Sequence, residues 1–124
     1  MADTPPEAEE QIPAAASADD TLAGYLEVHD RPPAFEGPDG HPYTVSMEGE
    51  RTGDLRTPWE GYLVFPRWAA TGLGIVGHVE TPTLTRTRSS DEARGALGRL
   101  TLLEVKRLLD AAVAARGPDS APAP

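Results

Sequence analysis

Tyr43, Val45 and Met47 alternate with Thr44, Ser46 and Glu48, the cleanest period-two pattern in the chain. It predicts a strand with one face on a core and the other in water. Residues 25–30 also alternate and carry aromatic and β-branched side chains, so they read as a strand that Pro32-Pro33 ends or places at a sheet edge. Gly37-Pro38-Asp39-Gly40 is a turn signal, with Phe35 and Tyr43 flanking it. Residues 49–58 read as a polar connection. The apolar run 60–65 suits a central strand, and residues 66–72, which contain Trp68, read as a turn. Residues 73–79 form the next strand, where Gly74 and Gly77 suggest a bulge or a close backbone approach. Thr83 to Thr87 is a weak edge-strand candidate.

The pattern then changes period. Ser89…Glu92 and Thr101…Glu104 both fit the capping box, in which a hydroxyl side chain and a Glu three residues on satisfy each other's backbone donors. Leu100 and Val105 supply the matching apolar staple to the second box. The first helix is expected over about 90–97 with Gly98 as its C-cap, the second over about 102–115. In the second, Leu102, Val105, Leu108, Leu109, Ala112 and Val113 share one face. Short connections between strands favour antiparallel neighbours. The expected fold is α+β: a curved, meander-like antiparallel sheet of four to five strands, followed by two C-terminal helices packed on one face.

Composition changes this picture at the ends. Residues 1–20 hold six acids, no Lys or Arg and one large aliphatic, Ile12, while residues 117–124 read GPDSAPAP. Neither stretch carries enough apolar surface to offset ordering, so both are expected to be disordered, leaving one domain over 21–116. The net charge of −9 belongs mostly to the arm, since 21–116 carries 13 acids against 11 bases. An acidic arm repels nucleic acid and anionic membranes, and no run approaches a membrane span or a secretory leader. A cytoplasmic protein is expected. The chain has no cysteine, which removes disulfides and thiolate chemistry. Ten of its eleven bases are Arg, a bias that fits a GC-rich coding sequence and need not mark function.

The candidate chemistry is sparse. His78 and Glu80 share a strand face two residues apart, and His29, with Glu27 beside it, could complete a metal-binding or acid–base group if the strands adjoin. His41 lies in a turn before Pro42 and reads as a surface residue. No nucleophile elbow or zincin motif occurs, and Gly72-Leu-Gly-Ile-Val-Gly77 enters a strand instead of opening a helix, so it lacks a dinucleotide site's phosphate cradle. No metal or cofactor is expected. Arg86, Arg88, Arg94 and Arg99 make a locally basic region beside the Ser89-Ser90 helix start, able to take an anion or the acidic arm. Trp68 beside Arg67 pairs two residue types enriched in interface hot spots, while Trp59 suits a core or sheet edge.

Three functional expectations follow. The first is a non-catalytic protein-binding or accessory domain using Trp68 and Arg67, with Arg86 and Arg88 as further binding residues. The second is a small enzyme or metal-binding protein built on His78, Glu80 and His29. The third is a homo-oligomer that pairs an open sheet face bearing Tyr62 or Leu63 and Phe65. Partners are expected to be a protein or a second copy, not nucleic acid or membrane.

Overall fold

A computed structural model describes residues 19–116. The predicted acidic arm, apart from Asp19 and Asp20, and the Pro- and Ala-rich tail lie outside the described residues. The elements are α1 (Leu22–His29), β1 (Ala34–Glu36), β2 (Pro42–Thr44), β3 (Ser46–Arg51), β4 (Trp59–Trp68), β5 (Ile75–Glu80), β6 (Thr85–Thr87), α2 (Ser90–Gly98) and α3 (Leu102–Arg116). All strand pairs are antiparallel. The α+β architecture predicted from the hydrophobic pattern is therefore present, with six strands where four to five were expected and a third helix.

β4 is the spine. One edge of it pairs β3 over Trp59–Val64 and β2 at Arg67, and the other pairs β6 over Trp59–Gly61 and β5 over Val64–Trp68. β2 and β3 act as one strand bent at Val45, and β1 returns beside β2 through the Gly37–Gly40 turn, with Phe35 opposite Tyr43. β5 and β6 likewise act as one interrupted strand. Pro82 has no N–H to give to a ladder. At that point Thr81 N–H and Leu84 N–H donate to the carbonyls of Leu63 and Gly61, and the buried Thr81 hydroxyl accepts from Leu63 N–H at 3.1 Å. The predicted bulge falls where Gly74 and Gly77 bracket it: Arg67 faces Gly77 and Trp68 faces Ile75, so Val76 is the extra residue.

Alternation along β4 sorts its side chains. Gly61, Leu63 and Phe65 are buried, and the helices lie on their face, α2 over β3, β4 and β6 and α3 over β5. Tyr43, Val45 and Val79 from the sheet meet Leu22, Leu97, Val105, Leu109 and Ala112 from the helices in one core. Gly61 is a close-approach glycine. A Cβ there would stand 2.9 Å from Thr85 Cγ2, 3.2 Å from Leu97 Cδ1 and 3.4 Å from Ala93 Cβ. The second capping box forms in full, and the first keeps only the half in which Ser89 Oγ accepts from Glu92 N–H. Glu104 N–H donates to Thr101 Oγ1 at 3.1 Å and Thr101 N–H to Glu104 Oε1 at 2.9 Å, whereas Glu92 reaches one residue further back, to Arg88 N–H.

Four local expectations are corrected. Residues 25–30 are not a strand but most of α1. The Thr21 hydroxyl caps it by accepting from Gly24 N–H, Asp30 closes it in the left-handed region, and Leu22 and Leu26 fall one helical turn apart on the core side. The chain before α1 is tied to the start of α3, since Leu22 N–H donates to Leu100 O and Leu102 N–H to Asp20 O. Residues 49–51 continue β3, and the strand expected to end at 65 runs on through Trp68. Gly98 is not a left-handed cap. It is helical and buried, and a Cβ there would lie 2.8 Å from Ala23 Cβ, so its lack of a side chain lets α1 pack on α2.

Tyr43 closes the core at the β1–β2 end. Its ring is fully buried, while its hydroxyl donates to Asp39 Oδ2 at 2.7 Å and Arg67 Nε donates to the same oxygen at 3.2 Å. Partial burial pushes the Asp39 carboxyl up, but the Tyr43 hydroxyl, the His41 N–H and the Arg67 guanidinium outweigh it and hold the carboxyl below its usual range. Burial, then the Asp39 carboxylate, pushes the Tyr43 phenol up to about 12. The native state thus holds this proton more tightly than the unfolded chain does. Its contribution is complete below about pH 10, the ordinary tyrosine value, and is lost as pH rises through about 12. Alkaline denaturation followed by circular dichroism should therefore steepen above pH 10, and Tyr43→Phe should flatten that limb. An unchanged limb would place the Tyr43 hydroxyl in water.

Candidate functional site

The same alternation that buries Gly61, Leu63 and Phe65 turns Tyr62, Val64, Pro66 and Trp68 to the opposite face, where each is half-buried. No helix lies on that side among the described residues; the helices face the buried set. The cross-strand register builds rows across this face: Glu50–Glu60–Arg86, then Glu48–Tyr62, then Ser46–Val64–Glu80, then Pro66–His78 and Trp68–Ile75. An apolar line thus follows β4 and widens at Trp68 into exposed Ile75 and Val76, with Leu73 in the adjoining turn. Trp68 is held rather than loose. Its indole Nε1–H donates to Thr44 Oγ1 at 3.0 Å, and its carbonyl accepts from His41 Nδ1 at 2.9 Å.

Carboxylates occupy the other end. The Tyr62 hydroxyl donates to Glu50 Oε2 at 3.2 Å. Desolvation, followed by the charges of Glu50, Glu80 and Glu48, pushes the Tyr62 phenol up, which places three carboxylates around one ring. Ser46 donates to Glu48. Glu60 accepts from Arg86 Nε and Thr83 Oγ1, both at 3.2 Å. The face therefore runs from a negative end at Glu48 and Glu50 to an aromatic and aliphatic end at Trp68 and Ile75.

The sequence-predicted residues separate on this frame. His78 and Glu80 do share the helix-free face, 3.5 Å apart and well exposed. His29 does not join them. It is on α1, tilted at 36° against the Tyr25 ring with centroids 4.1 Å apart and with Nε2 3.2 Å from Asp19 Oδ2. Among the described residues no three His, Asp or Glu side chains gather closely enough to hold an ion. Trp68 is on the helix-free face, but Arg67 points to the other side, where Asp39 holds it. Leu63 and Phe65 are in the core, so of the residues named for an open face only Tyr62 lies on it.

The basic region is divided. Arg86, Arg88 and Arg99 border a shallow cleft between β6 and α2 that also contains Asp91 and Glu92, while Arg94 lines a second cleft on the far side of α2. Trp59 stands at that second cleft with the Arg51 guanidinium 5.3 Å over its ring. Gly72 and Gly74 have φ of 80° and 96° in the β4–β5 turn, a conformation glycine tolerates, and no helix starts there.

Val64, Pro66, Glu48 and Glu50 carry the site's character and were not singled out by motif. The available signal was the register of the run 60–65: once Leu63 and Phe65 are inside, Tyr62 and Val64 must be outside. No described helix is long and apolar enough to cross a membrane. Comparison of the chain with protein-family models, with curated proteins and with solved structures finds no match.

Proposed function

We propose that this chain is a non-catalytic protein-binding domain whose contact surface is the helix-free face of the sheet, centred on Val64, Pro66 and Trp68. The observation that supports this reading is the composition of that face. A half-exposed apolar line on a rigid central strand ends in a positioned tryptophan and three exposed aliphatic residues. Contiguous apolar surface rimmed by polar groups is what interaction sites present, and rigid aromatic anchors dominate their energetics. The paired acids at the Tyr62 end favour a partner that brings cations.

Self-association through the face is the competing reading. A two-fold axis through Val64 perpendicular to β4 would lay the negative end of one copy over the Trp68 end of the other, which has no Lys or Arg on this face to meet Glu48 and Glu50. An axis parallel to β4 would stack the carboxylates on each other. Sedimentation velocity should therefore return a monomer. Affinity capture from a native extract should enrich a partner at least tenfold over a Val64→Arg, Trp68→Ser protein, and a Leu103→Ser control on exposed α3 should keep it. A dimer that the double substitution dissolves would replace this reading with self-association. Equal capture by all three proteins would remove it.

A further inference from the structure

Among the described residues β3 has only one strand partner, β4. β1 pairs β2 over Pro42–Thr44 and stops there, so from Met47 onward the outer edge of the sheet is β3 itself. The phase of its ladder is fixed by Thr52 N–H, which donates to Pro58 O at 2.7 Å immediately beyond the strand. In an antiparallel pair, bonded residues recur every second position. Glu50, Glu48 and Ser46 therefore turn their backbone groups to β4. Met47, Gly49 and Arg51 turn theirs outward. The far side of β4 agrees, because Leu84 and Thr81 take the carbonyls of Gly61 and Leu63, the residues this phase leaves unpaired toward β3.

A cleft of about 240 Å³ opens next to this edge, between β3 and α2. Met47 and Trp59 form its sheet side and Ala93, Arg94 and Leu97 its helix side. Gly49, midway along the edge, has no side chain to fill it. On the opposite face of the same edge, Glu48 and Glu50 are exposed and project two residues apart.

We infer that the β3 edge is a strand-addition site for a foreign extended segment of the pattern basic–aliphatic–basic. The segment's backbone pairs with Met47, Gly49 and Arg51. Its aliphatic side chain, opposite Gly49, enters the cleft against Trp59 and Leu97. Its two cations lie across from Glu48 and Glu50. Main-chain pairing supplies affinity and the alternate side chains supply specificity.

Charge selects this occupant over two nearer ones. A second copy adding through its own β3, with Gly49 opposite Gly49, would set each Glu48 directly opposite the other copy's Glu50. Like charges in that position destabilise a pair. The chain's own first 20 residues carry six acids and no Lys or Arg, so they cannot supply the cations. The site shares Glu48 and Glu50 with the acidic end of the sheet face, but its backbone edge and its cleft are separate from the Val64–Trp68 line and do not depend on it.

The probe is acetyl-Thr-Lys-Leu-Lys-Thr-amide, titrated into the ¹⁵N-labelled full chain. Shifts should concentrate at Met47–Arg51, the Trp59 indole N–H and Ala93–Leu97. N-methylating the leucine removes the N–H that pairs with Gly49, and replacing both lysines with Glu opposes the carboxylates. Each change should weaken binding at least tenfold. The Glu48→Lys, Glu50→Lys protein should reverse the preference and take the Glu peptide, an exchange that a folding defect cannot mimic. Absence of shifts at millimolar peptide, shifts located elsewhere, or equal binding of the N-methylated peptide would each overturn the assignment.

Discussion

Phe65→Ala should remove about 3–5 kcal/mol of folding stability. The ring is fully buried at the centre of β4, opposite Val79 and beneath the helical layer. Truncation forfeits its transfer free energy and leaves a cavity whose walls are set by backbone ladders on both sides, so little of the loss can be recovered by collapse. A domain of this size has about 5–15 kcal/mol in total, and the variant should unfold at markedly lower urea with an unchanged slope. Val64→Ala, one residue away and half-exposed on the other face, should cost far less. If the two losses were equal, the helices would not lie where the register puts them.

The second large effect is expected at Gly61. A valine there must place its Cβ 2.9 Å from Thr85 Cγ2 and its methyls into Leu97 and Ala93, which belong to β6 and α2. Either α2 lifts off the sheet or β6 leaves its ladder. Overpacking of this kind costs about 1–3 kcal/mol and occasionally more, despite the better strand propensity of valine. Gly53 is the contrast, since a Cβ there meets nothing within 4 Å and its φ is not positive. Gly53→Ala should change stability by no more than about 0.5 kcal/mol. Equilibrium urea melts of both proteins test the pair. A neutral Gly61→Val would show that α2 does not rest on β4.

The contrast between these two glycines also shows what a sequence holds and what it hides. The sequence places Gly53 in a polar connection and Gly61 in an apolar run, but that Thr85, Leu97 and Ala93 close over Gly61 is set by tertiary packing alone. Features set by near neighbours were readable: the Ser89 and Thr101 helix starts, the Gly37–Gly40 turn, the bulge bracketed by Gly74 and Gly77, and the buried stripe of α3. The failure at α1 has a definite physical cause. Over five residues, Tyr25, Glu27 and His29 alternate with Leu26 and Val28 as a strand would, yet Leu22 and Leu26 also fit one face of the eight-residue helix. A local signal and two tertiary contacts decide for the helix: Thr21 is an N-cap residue that accepts from Gly24 N–H, Leu100 O receives Leu22 N–H, and Gly98 gives Ala23 room. The candidate site was legible only in part. Trp68 and the His78–Glu80 pair were visible as residues, but their shared face depends on how far β4 runs. Arg67 turns inward because β4 runs on past Phe65 in the same alternation, and its partner there, Asp39, lies 28 residues away.

The reading of the helix-free face as a contact surface is tested most directly by placing a photoreactive benzoylphenylalanine at position 64 in cells. Its ring would stand on the apolar line between Tyr62 and Pro66. Irradiation should give a discrete crosslinked species that contains a different polypeptide, while the same group at exposed position 114 on α3 should give none. No product from position 64, or the same products from both positions, would contradict the account.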